Sequence, residues 1–303
     1  MIASLPLLAV LSGLSFALVG VAYRFGQNHR ITPIQIIVWA APLCIVFFGA
    51  QTPLGSWAQA PRAVWLWAIA GGMGQYLCLL LVNKALRLGP LSPLWCTTNL
   101  TFLMTVLFAA LFLDERITMF QALGLASGIG AVLAGVWSVS PTSPTTSTVV
   151  SGRLGQRLEY ALILGLLMLC NSLPAIAIKA LSRHVLPSGG DALSHFSGVF
   201  TTTIYITLWL SVLTDMALRS NWRRPNRSQI GLAALASGGS IGGFLLWCFC
   251  AAMPAAILFT LSSIASVIGS GLVSVFLFRE KASGFWFLMM GLAVLTVILL
   301  NMG

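Results

Sequence analysis

Long apolar runs separated by short polar breaks make up almost the whole chain, and each run has the length of a bilayer crossing. A helix needs ~20 mostly apolar residues to cross ~30 Å of hydrocarbon, and it must satisfy its backbone hydrogen bonds internally. Ten segments meet that length: Leu5 to Phe25, Pro33 to Ala50, Ala63 to Leu86, Leu91 to Leu113, Thr118 to Val139, Leu158 to Ser182, Ala192 to Ala217, Gln229 to Cys250, Pro254 to Phe278 and Ser283 to Asn301. Helix breakers fall between them, at Thr32-Pro33, Gln51-Thr52-Pro53, Gly89-Pro90, Pro187-Ser188-Gly189-Gly190 and Arg224-Pro225-Asn226. The first run has no Lys or Arg before it and no convincing small-residue cleavage site, so it reads as a retained helix and not as a secretory signal.

A Ser/Thr/Pro-rich stretch divides this series into equal groups. The sequence predicts a first five-helix repeat over 1–139, a linker over 140–157 and a second five-helix repeat over 158–303. The fourth run ends in "LFAALFLDERITMFQALGLASG" and the ninth in "LVSVFLFREKASGFWFLMMGLA". In both, an apolar helix stops at a charged triplet, Asp114-Glu115-Arg116 or Arg279-Glu280-Lys281, and another apolar helix follows; the triplets are 165 residues apart. Five is odd, so the second copy starts on the opposite side of the membrane. The expected fold is therefore all-α and integral to the membrane, with ten transmembrane helices as two inverted five-helix repeats around a central cavity.

Composition agrees with the pattern. Of 303 residues, 58% are hydrophobic and 7% charged, against roughly 25% charged in soluble domains, and the mean hydropathy is +0.96. Too few polar side chains exist to cover a water-facing surface. The net charge of +10 would suggest nucleic acid in a soluble protein, but here the cations sit between the apolar runs and report orientation. Loops after odd-numbered spans carry twelve of the 16 Lys and Arg, and the other side carries Arg62, Arg116, Lys179 and Arg183. The positive-inside rule then makes the odd loops cytoplasmic and both termini external. The six cysteines lie within apolar runs and show no C-x-x-C or Cys/His ligand spacing, so they read as packing residues, and no metal or other cofactor is expected.

Polar side chains near the midplane are the candidates for chemistry, because exposing them to lipid is costly. Gln75 and Tyr76 lie halfway along the third span, with Asn83 two turns on. Trp95, Thr98 and Asn99 fall at i, i+3 and i+4 in the fourth span and so share a face. The sixth span offers Asn171, with Pro174 beyond it as a predicted kink; the eighth offers Ser240 and Trp247, and the ninth offers Ser263, Ser266 and Ser270. The expected substrate-binding set is Gln75, Tyr76, Trp95, Thr98, Asn99, Asn171, Trp247 and Ser263. Paired glycines such as Gly71-Gly72 and Gly242-Gly243 predict close helix contacts. The middle third of every span lacks Asp, Glu and His, which argues against carboxylate-coupled export of a cation and for a neutral or zwitterionic solute.

With these residues in view, the chain resembles the EamA-type branch of the drug/metabolite transporter superfamily over essentially its whole length. The resemblance is carried by "LFLDERIT" with the Gly-rich "ALGLASGIGAVLAGV", by the weaker echo "FLFREKAS", and by the third-to-fourth junction "NKALRLGPLSP". The chain departs from the family at three places. Asn99-Leu100 and Ala265-Ser266 stand where helices four and nine often carry proline, and Trp39 stands in the second helix where arginine is common. The resemblance implies a secondary carrier of small organic solutes, frequently an exporter of amino acids or related metabolites. It also implies helices one, three, four, six, eight and nine around the cavity.

The expected function is thus non-ATP transport of a small neutral or zwitterionic metabolite by alternating access, as an exporter, in a multi-pass protein of the bacterial inner (plasma) membrane. Its partners are the solute and the bilayer, without nucleic acid; the oligomeric state is left open, a monomer included. The alternative is a flippase or exporter of a lipid-linked or amphipathic substrate, which needs an apolar side opening between helices. An intramembrane enzyme is disfavoured, because no H-E-x-x-H or G-x-S-x-G motif occurs and the three His lie near span ends.

Overall fold

The computed structural model describes residues 5–88, 91–112, 117–138, 153–181, 190–218, 225–249, 255–279 and 283–302. These form twelve helices and, among the described residues, no strand: α1 (Leu5–Asn28), α2 (Pro33–Gln51), α3 (Leu54–Gln59), α4 (Arg62–Leu88), α5 (Leu91–Asn99), α6 (Phe102–Phe112), α7 (Met119–Ser138), α8 (Arg153–Ala180), α9 (Gly190–Leu218), α10 (Arg227–Phe249), α11 (Ala255–Phe276) and α12 (Gly284–Met302). Among the described residues, eight segments are long and apolar enough to cross a membrane, and the shorter apolar helices Leu261–Phe276 and Gly284–Leu299 follow them. The stretch 140–152 and the charged residues Asp114, Glu115, Arg116, Glu280 and Lys281 lie outside the described residues.

Local signals account for several boundaries. At the start of α2, Thr32 and Gln35 form a capping box ahead of Pro33, whose missing N–H costs nothing in the first turn. The outward faces carry the membrane signature directly. On α8 the exposed residues Leu158, Leu162, Leu166 and Leu169, and on α1 Leu7, Leu11, Leu14 and Leu18, recur every three or four positions. Such spacing makes a continuous leucine stripe on one face, which suits lipid and would be costly against water. Trp39 also lies on the outside, 43% exposed.

Packing is selective. Helix α1 lies against α10 and α11, α4 against α8 and α9, α2 against α9 and α10, α7 against α12, and α6 against α8. Small residues permit the closest approaches: a Cβ on Gly239 of α10 would stand 2.7 Å from the Ser15 carbonyl oxygen of α1. A few side chains then tie helices to a neighbour's backbone. Ser12 donates to the Gly243 carbonyl at 2.9 Å, Ser127 to Leu292 at 3.0 Å, the Trp209 indole to Val38 at 3.0 Å, and Gln229 to Gln35 at 2.7 Å.

The buried apolar residues form distinct cores. One joins parts of α1, α2, α4, α8, α9 and α10 and includes Leu94 and Trp95; another is built mainly on α5, α6, α7 and α12 and includes Cys96, Leu100 and Met168. Adjacent residues Trp95 and Cys96 thus belong to different cores, and the end of α5 lies along the seam. At one end of the bundle the tip of α1 meets the end of α4 and the start of α8. There Lys84 pairs with Glu159 at 2.7 Å, Gln27 donates to the Leu86 carbonyl, and the Arg24 guanidinium lies 5.9 Å from the Phe278 ring centre.

Candidate functional site

The fourth span is interrupted at Leu100 and Thr101, although its proline, Pro93, lies in the first turn of α5, well before the break. Helix α5 stops at Asn99 and α6 starts at Phe102, with a turn over Leu100 and Thr101. Side chains next to the break compete for the backbone acceptors a continuous helix would use. Thr98 Oγ1 and Asn99 Nδ2 both donate to the Trp95 carbonyl at 2.8 Å, and Thr101 Oγ1 donates to the Thr98 carbonyl at 3.0 Å. The interruption therefore comes from a Thr-Thr-Asn-Leu-Thr run whose polar groups cap the end of α5.

The Thr98 carbonyl has a second donor from outside its own helix. Asn171 Nδ2 of α8 reaches it at 3.2 Å, while Asn171 Oδ1 accepts from Gln75 Nε2 of α4 at 3.0 Å. One amide thus joins α4, α8 and the broken end of α5. Pro174, inside α8, removes the N–H that would have bonded the Cys170 carbonyl. That carbonyl faces Gly74, whose added Cβ would stand 2.7 Å from it. Glycine at 74 lets α4 come close enough for Gln75, its neighbour, to reach Asn171.

Trp95 completes this cluster. Its side chain is 8% exposed, its ring fills the space a Cβ on Gly20 of α1 would need, and its indole Nε1–H is buried without a hydrogen-bond partner among the described residues. A buried donor without an acceptor costs about 1–3 kcal/mol. The geometry thus unites Gln75, Trp95, Thr98, Asn99 and Asn171. It offers one unspent donor in Trp95 and amides that a polar solute could compete for.

The other expected site residues are Tyr76, Ser263 and Trp247. Tyr76 is half-buried beside the core that contains Trp95, one residue after Gln75. Ser263 is half-buried on α11, and Trp247 lies on α10 with its side chain outside what is described. Sequence reading passed over Tyr205 of α9, which stacks on Phe48 of α2 with ring centres 5.8 Å apart and hydrogen-bonds with Ser240 and Cys44. Its signal was weak: one tyrosine within "TTTIYITLW", with no amide beside it.

Comparison with known proteins bears on the fold. Residues 4–137 match the EamA-like transporter family. A solved structure, "Crystal structure of protein", is 17% identical, covers 98% of this chain and 95% of its own, and superposes with a TM-score of 0.64, which shows a shared fold. No curated protein matches. The eight apolar helices mark a multi-pass membrane protein, and the stretch similar to the EamA-like transporter family is its first part, residues 4–137.

Proposed function

We propose that the chain is a secondary carrier that exports a small neutral or zwitterionic metabolite, of the size and polarity of an amino acid, by alternating access. The observation that carries this reading is the bridge from Gln75 through Asn171 to the Thr98 carbonyl at a broken helix. Interrupted helices inside a membrane survive only where they are buried in protein or line a cavity, and carriers build substrate sites from their ends. The end of α5 presents partial negative charge and the start of α6 partial positive charge. Such a pair suits the ammonium and carboxylate of a zwitterion. The Gln75 and Asn171 amides and the Trp95 indole supply neutral hydrogen bonds.

The helix pairing supports ten spans in two inverted repeats. Counting α5 and α6 as one span, the first repeat is α1, α2, α4, α5–α6 and α7, and the second is α8 to α12. Exchanging corresponding members turns the α1 contact with α10 into the α8 contact with α4, and the α4 contact with α9 into the α10 contact with α2. The α2 contact with α9 and the α7 contact with α12 map onto themselves. A twofold axis in the membrane plane produces that pattern. Each core takes helices from both repeats, and the seam between the cores, crossed by α5, is where one core would move against the other.

Counterflow in proteoliposomes tests the reading: vesicles preloaded with single amino acids and related metabolites, with uptake of labelled solute followed. Saturable counterflow that falls at least about tenfold in Asn171→Ala, roughly the loss of one well-made polar contact, supports it. Transport restricted to lipid-linked compounds would replace it with the flippase reading.

A further inference from the structure

We infer that the end of α1, the start of α2 and the end of α4 form a second binding site, specific for a phosphate-bearing anion and separate from the Asn171 cluster. A cavity of about 200 Å³ lies there, lined by Gln27, Arg30, Thr32, Asn83 and Arg87 among others. Drug-sized ligand pockets start at roughly 300 Å³, so this one takes an ionic head group. Two arginines, both exposed, line it and no acidic residue does. Neither arginine makes an ion pair among the described residues; the nearby acid, Glu159, is paired with Lys84.

The walls are fixed by groups already engaged. Gln27 accepts from Arg24 Nη1 at 2.6 Å and donates to the Leu86 carbonyl, joining α1 to α4. Thr32 and Gln35 are locked in the capping box. Left to face a ligand are Arg30, Arg87, the half-buried Asn83 amide, which makes no hydrogen bond among the described residues, and the Thr32 hydroxyl proton. Arg30 follows the α1 terminus at φ 57°, a left-handed position that glycine or asparagine usually takes. Its N–H bonds the Gln27 carbonyl at 3.1 Å, and the next N–H, of Ile31, bonds Gly26 at 2.7 Å. The turn is thus held tightly while keeping a residue that strains it, as expected where the side chain has a task.

Two guanidinium forks and a neutral amide around a head-group-sized cavity match phosphate better than a single carboxylate. The phosphate could belong to an anionic phospholipid, since basic pockets at helix ends take lipid head groups, or to a soluble phosphate. The test uses the full chain in uncharged detergent titrated with inorganic phosphate. In parallel it uses nanodiscs of phosphatidylcholine with and without phosphatidylglycerol, with lipid retention by native mass spectrometry and the thermal midpoint as readouts. Binding in either arm, weakened about tenfold by Arg30→Gln, Arg87→Gln and Asn83→Ala, supports the site, and the responding arm identifies the source of the phosphate. Arg157→Gln removes a charge at the same end, where Arg157 lies 4.7 Å from the Trp137 ring centre, and is expected to leave binding unchanged. No binding in either arm, or equal weakening by Arg157→Gln, overturns it. Thermal midpoints of the variants without probe show that they fold, and solute transport is not a readout.

Discussion

Gln75 of α4 donates a 3.0 Å hydrogen bond to Asn171 of α8, 96 residues away in sequence. Neither amide could stay unpaired in hydrocarbon without a cost of about 1–3 kcal/mol, so each explains the other's position. Asn171 also donates to the Thr98 carbonyl, which makes it the only one of the two that holds the broken end of α5. Replacing Asn171 by Ala is therefore expected to impair counterflow more than replacing Gln75 by Ala. Uptake rates of the two variants at matched expression check the order.

Gly74 sets the distance between α4 and α8. A methyl group at 74 would press on the Cys170 carbonyl and on Leu173, and Gly74→Ala should cost about 1–3 kcal/mol through overpacking. Gly165, on the same α8 helix, would meet nothing within 4 Å, and Gly165→Ala should be neutral or slightly stabilising, since alanine is the better helix former. Thermal unfolding of both variants in one detergent measures the contrast.

The indole N–H of Trp95 separates packing from binding. Trp95→Phe removes a donor that has no partner among the described residues and keeps most of the ring, so stability should change by no more than about 1 kcal/mol. If the solute accepts from that N–H, its apparent affinity falls while the maximal rate holds. Unchanged affinity would confine Trp95 to packing against Gly20.

The Lys84–Glu159 pair is exposed, 56% and 45% at its two side chains. Exposed pairs contribute about 0–1 kcal/mol and weaken with salt. Lys84→Ala should accordingly shift the thermal midpoint little, and any shift should vanish at high ionic strength; a large, salt-independent loss would show a structural role the geometry does not suggest.

Much of this arrangement was legible because the bilayer restricts the possibilities. Hydropathy located the helices, and the rarity of amides inside apolar runs singled out Gln75, Asn99 and Asn171. It could not show that Asn99 bonds back to Trp95 within its own helix, since an isolated amide gives no sign of its partner. Nor could it show the break after Asn99, because proline is the breaker a sequence displays and this break arises from hydroxyl and amide groups competing for backbone carbonyls. The Arg30 and Arg87 pocket was beyond reach for a different reason: it needs the ends of α1 and α4 side by side, and no periodicity encodes that contact.

The most direct test of a substrate site at the Asn171 bridge is counterflow of a labelled amino acid into proteoliposomes containing wild-type protein, Asn171→Ala or Thr214→Ala. Thr214 bonds its own helix on an exposed face of α9 and serves as the control. The account predicts saturable counterflow for wild type and Thr214→Ala, and a loss of at least about tenfold for Asn171→Ala with its fold intact. Wild-type counterflow by Asn171→Ala would contradict it and move the site away from the broken helix.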